Sequence, residues 1–133
     1  MYSNILIPVA IDHGETTQQA LEVARALCSP GGTITALTVM EHIPAYVAAE
    51  LPAGQIDRSH KMAHEALQAE MGAGIECRVV TGHPGRTITD FADESGADCI
   101  VIASHQPGLQ DYFLGSTAAR VVRHAHCAVH VVR

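Results

Sequence analysis

Tryptophan is absent from this chain, and lysine occurs once, at Lys61, among eight basic residues set against fourteen acidic ones. A formal charge of −6 with no cluster of arginines removes the electrostatic footprint that a DNA or RNA backbone requires. No nucleic acid partner is expected. No stretch approaches the roughly 20 apolar residues that a membrane span needs, and Met1-Tyr-Ser-Asn runs straight into Ile-Leu-Ile-Pro without a basic region or a small-residue cleavage site. The expected location is therefore cytoplasmic, without a membrane span. Cys28, Cys77, Cys99 and Cys127 form no Cys-x-x-Cys pair, so neither a zinc knuckle nor a redox motif is indicated and reduced, structural cysteines are expected. Also missing are the Gly-x-x-x-x-Gly-Lys-Ser/Thr phosphate loop, the Gly-x-Ser-x-Gly elbow and a two-carboxylate magnesium motif. Those absences argue against fast nucleotide hydrolysis and against acyl-transfer chemistry.

What remains is a chain of 133 residues, 47% hydrophobic, which suits one domain, 1–133, with a sizeable core. Five short runs rich in Ile, Val and Thr are predicted strands: Ile5 to Ile11, Thr33 to Met40, Ile75 to Thr81, Cys99 to Ser104 and Cys127 to Val132. Several are apolar at consecutive positions, as strands covered on both faces are. Between them the spacing predicts helices over Thr16 to Leu27, Ser59 to Met71, Arg86 to Ser95 and Ser116 to His124. The alternation is that of an α/β protein: an open five-stranded parallel sheet with helices on both faces. The long connection from Glu41 to Ile56 carries Pro44, Pro52 and Gly54 and is expected to be loop, of the length that tends to be functional.

Ligands of such sheets bind outside the carboxyl ends of the strands, where the strand order reverses. The fourth predicted strand ends in Ala103-Ser104-His105-Gln106-Pro107-Gly108, and the chain then reaches Gly115-Ser116-Thr117 at the start of a helix. Unpaired first-turn amides behind a glycine, with two hydroxyls beside them, make an anion site. Serving as a plain helix cap is the alternative use of Ser116. Nine histidines invite a metal reading, but His124, His126 and His130 fall on a helix end and a strand and no helical pair faces one point. No metal site and no catalytic residue are assigned.

Ile102-Ala-Ser-His105, Leu114-Gly-Ser-Thr-Ala118 and Val121-Val-Arg-His124, with Ile5-Leu-Ile-Pro-Val9 and Gly82-His-Pro84, occur in order along the chain. Together they resemble the universal stress protein family. The resemblance implies an adenine nucleotide alpha hydrolase-like fold with the third strand at one edge of the sheet and the last at the other. It further implies ATP, or AMP or ADP, at the carboxyl end of the sheet, magnesium accompanying ATP, and a role in stress response by binding rather than turnover. Val39 and Ile102 match positions that line the base pocket, and Pro8, Val9, Ala10 and Asp12 lie where the nucleoside is held.

Two departures from the family pattern stand out. The glycine motif has Ala103 and Gln106 at its first two glycine positions, with Gly108 nearby, and one residue fewer than usual before Gly115. Ala10 replaces the usual aspartate, which Asp12 would have to compensate. The resemblance also implies a homodimer through residues 127–133. Two other readings stay open: a family member that has lost nucleotide binding and acts as a protein-interaction module, and a very slow ATPase.

Overall fold

A computed structural model describes residues 1–10, 14–104 and 115–133. Strand β1 (Tyr2–Pro8) is followed by helix α1 (Gly14–Leu27), β2 (Cys28–Met40), a single-turn helix α2 (Ala45–Ala48), α3 (Gln55–Met71), β3 (Glu76–Thr81), α4 (Pro84–Ser95), β4 (Cys99–Ala103), α5 (Ser116–His124) and β5 (Ala128–Val132). The five strands form one sheet in the order β3-β2-β1-β4-β5. Every neighbouring pair is parallel. β3 and β5 are the edges, and β1 is the centre from which the chain steps first to one side and later to the other.

Consecutive apolar residues in the strands explain the two covering layers, because neighbouring side chains on a strand point to opposite faces. Ile5 and Ile7 meet Ala20, Leu21 and Ala24 of α1 and Leu67 and Met71 of α3 on one face. Leu6, Leu37, Ile100 and Ile102 meet Ile88 and Ala92 of α4 and Ala118 and Val121 of α5 on the other. Ile5, Leu6 and Ile7 are at most 1% exposed. A central strand buried on both sides has no alternating pattern to show, and β1 shows none.

Boundaries differ from the sequence expectation in ways that hydrogen bonding explains. β1 starts at Tyr2 rather than Ile5 because Tyr2 and Asn4 pair with Cys28 and Thr33 of β2, while on the other side the Asp98 carboxylate accepts the Ser3 and Asn4 amides at 2.9 and 3.0 Å. Its far end stops at Pro8, although one further bond runs from the Val9 amide to the Leu37 carbonyl. β2 begins at Cys28, taking Pro30, Gly31 and Gly32 into a strand with an irregular register against Tyr2 and Asn4. These turn-forming residues read as loop. α3 starts four residues earlier than Ser59 and α4 starts at Pro84, which the fixed φ of proline suits as a first helical residue. The connection from Glu41 to Ile56 is not all loop, since it holds α2 and the first two residues of α3.

Candidate functional site

At the carboxyl end of the sheet, β1 and β4 lie side by side while their chains leave in different directions, and a cleft of about 230 Å³ opens there. Its walls are Pro8, Val9 and Ala10 from the end of β1, Leu37 and Val39 from β2, Pro84 and Ile88 from α4, Ile102, Ala103 and Ser104 from β4, and Gly115, Thr117 and Ala118 from α5. Leu37, Ile88, Ile102 and Ala118 are buried and form an apolar floor. The polar side chains of this lining are Ser104 and Thr117, both toward α5.

Backbone hydrogen bonds hold the parts in register. The buried Thr38 hydroxyl donates to the Val9 carbonyl at 3.1 Å, and the Val9 amide donates to the Leu37 carbonyl at 2.8 Å. Thus the last residues of β1 stay against β2 beyond Pro8. On the opposite wall the Gly115 amide donates to the Ser104 hydroxyl oxygen at 2.9 Å in a buried bond, while the Ser104 amide donates to the Val132 carbonyl at 2.8 Å.

α5 is capped by the backbone of Gly115, which lies in the extended region and offers no side-chain acceptor. The first intrahelical bond is from the Ala119 amide to the Gly115 carbonyl at 2.9 Å. Ser116, Thr117 and Ala118 therefore contribute the first-turn amides that a helix cannot satisfy from within itself. Their partial positive charge is a standing attraction for an anion.

Of the sequence-predicted site residues, Pro8, Val9, Ala10, Val39, Ile102, Ala103, Ser104, Gly115 and Thr117 converge on this cleft. Asp12, His105, Gln106 and Gly108 lie outside the described residues. The structure adds two details. The cap of α5 is Gly115, so Ser116 does not serve the alternative use of a plain helix cap, and its side chain is exposed. The Gly115 amide is also already engaged by Ser104, so an anion at α5 is left with the amides that come after it.

Sequence reasoning missed Leu37, Ile88 and Ala118 as lining residues, and Thr38 as the clamp on Val9. Leu37 had a usable signal, because it stands two residues before Val39 on the same strand face. Pro84 read as a helix start, which it is, and the fold adds a place in the cleft wall.

All four cysteines are free; burial pushes the Cys99 thiol up to about 11 and also raises Cys77 and Cys127, so these three stay protonated at neutral pH. His126 pairs with Asp93 through Nδ1 at 3.0 Å on the surface. Among the described residues, no group of three or more His, Cys, Asp and Glu could hold a metal ion, and no helix is long and apolar enough to cross a membrane.

The fold has counterparts among known proteins. The profile of the Universal stress protein family matches residues 1–133. Universal stress protein G of Escherichia coli O157:H7 is 30% identical over 142 residues, covering 100% of both chains. Among solved structures, the universal stress protein UspA from Lactobacillus plantarum is 28% identical with a TM-score of 0.65, covering 99% of this chain and 98% of that one. The universal stress protein from Archaeoglobus fulgidus, solved in complex with dAMP, is 24% identical with a TM-score of 0.62, covering 99% and 98%.

Proposed function

The chain belongs to the universal stress protein family, and from that premise we propose that it binds an adenine nucleotide in the cleft at the carboxyl end of its sheet. The observation that carries this reading is the pairing of an apolar slot, between Val9, Val39 and Ile102, with the open amides at the start of α5. A base is a flat apolar body with a polar edge, and phosphates are anions. The slot suits the first and the helix start the second. The Archaeoglobus fulgidus relative in complex with dAMP supports the same assignment.

In this reading ATP, AMP or ADP lies with its base between Val39 and Ile102 and its phosphates on the Ser116, Thr117 and Ala118 amides, with the Thr117 hydroxyl beside them. Magnesium would accompany ATP as part of the ligand. The protein acts by binding and association in the response to stress rather than by turnover.

Calorimetric titration with ATP and AMP tests the reading. Saturable binding by the wild type is expected, together with its loss in Gly115→Val, since Gly115 is buried at the cleft and a branched side chain there would stand between ligand and helix. Unchanged affinity in a folded Gly115→Val protein would show the phosphate placement to be wrong.

A further inference from the structure

Ser104 occupies a junction that nucleotide binding does not by itself explain. It lines the cleft, is 8% exposed, and is held from both sides. Its amide is bonded to Val132 at the end of β5, so its position is fixed by the sheet. Its hydroxyl oxygen then accepts the amide of Gly115, a residue eleven positions further along the chain.

Resting on the nucleotide reading of the cleft, we propose that Ser104 is a positioning residue that makes the site selective for phosphorylated nucleotides over the bare nucleoside. First-turn amides attract an anion only as strongly as their direction is set beforehand, because any ordering left until binding subtracts from affinity. α5 is a helix of nine residues whose cap has no side chain to brace it. The Ser104–Gly115 bond supplies that brace from the end of β4, aiming the Ser116, Thr117 and Ala118 amides across the cleft. The base slot depends on Val9, Val39 and Ile102, which this bond does not touch. Loss of the hydroxyl should therefore be felt at the phosphates far more than at the base.

The alternative outcome is physically distinct. A Gly115 amide released from Ser104 could itself turn to the phosphate as an extra donor, in which case removing the hydroxyl would leave ATP affinity unchanged or raise it.

The experiment compares ATP and adenosine by calorimetry on the full chain, in wild type, Ser104→Ala and the nearly isosteric Ser104→Cys, with amide hydrogen exchange of Gly115 measured in each. The expected result is ATP weakened about tenfold in Ser104→Ala, adenosine weakened less than about threefold, and faster exchange at Gly115. Ser104→Cys, whose sulfur is a poor acceptor, should behave in the same direction and serves if Ser104→Ala does not fold. Equal losses for both ligands would reduce Ser104 to a fold residue and overturn the proposal, as would unchanged or tighter ATP binding. A selective ATP loss with Gly115 exchange unaltered would overturn it in favour of a direct contact. A wild type that binds neither ligand would instead strike down the nucleotide reading and this proposal with it.

Discussion

At the scale of single residues, the most consequential departure is Ala10. It is exposed at the rim of the cleft, and the carbonyl of the residue before it already accepts the Thr38 hydroxyl. The nucleoside end of the cleft is consequently short of acceptors among the described residues. Ala10→Asp would place a carboxylate where ribose hydroxyls or a base amine can donate to it. One such contact is worth about 0.5 to 1.5 kcal/mol net, so affinity for ATP should rise by up to about tenfold, as read by titration. Weaker binding in Ala10→Asp would show that another group, with Asp12 the foremost candidate, already serves the nucleoside.

The elements depend on contacts made well away from the cleft. β1 and β4 share a short ladder, with register partners at Ile5 and Leu6, and Asp98 reinforces its start by accepting the Ser3 and Asn4 amides and the Ser3 hydroxyl. These bonds favour the charged carboxylate and hold Asp98 below the usual carboxylate value. A folded-state value lower than the unfolded one means stabilisation that is present above about pH 4 and is lost as pH falls through the lowered value. The site is exposed, so the charged bonds are discounted for solvent. Asp98→Asn should cost about 1 kcal/mol at neutral pH, and the difference from wild type should shrink toward zero at strongly acidic pH. Urea unfolding at several pH values checks this, and a pH-independent difference would contradict it. Weakening here would loosen the strand pair whose other end forms the cleft.

For the whole molecule, the sheet order leaves β5 as an edge. Its backbone donors and acceptors on the outer side are a template for another strand, and Val129, Val131 and Val132 are only partly buried. Pairing with β5 of a second copy about a two-fold axis would satisfy both edges at once. We propose such a homodimer, with residues 127–133 at its centre. Light scattering should give twice the chain mass of 14.1 kDa, and removal of Ala128 to Arg133 should yield monomer or aggregate. A full-length chain that stays monomeric at high concentration would exclude the dimer. Because Ile102 and Ala103 pair with Val131 and Val132 and the Ser104 amide is bonded to the Val132 carbonyl, the cleft wall and this edge strand are directly joined.

The amino-acid sequence by itself determined the class of fold and most of the cleft. Apolar runs at Ile5, Cys99 and Cys127, separated by helical spacing, admit few arrangements other than a parallel sheet, and a glycine before Ser116 and Thr117 marks a helix start wherever the helix packs. Such signals are local, carried by neighbouring residues and their periodicity. Tertiary structure alone decided which atoms face one another. Ile88 and Ala118 have the same character as any core residue until the sheet order brings them under one cleft, and Pro30 to Gly32 became strand because Tyr2 and Asn4 lay alongside. Ser104 shows the difference most clearly: its place at a strand end is readable from the chain, but its bond to Gly115 and its tie to Val132 exist only because parallel packing brings β4, α5 and β5 together at one end of the sheet.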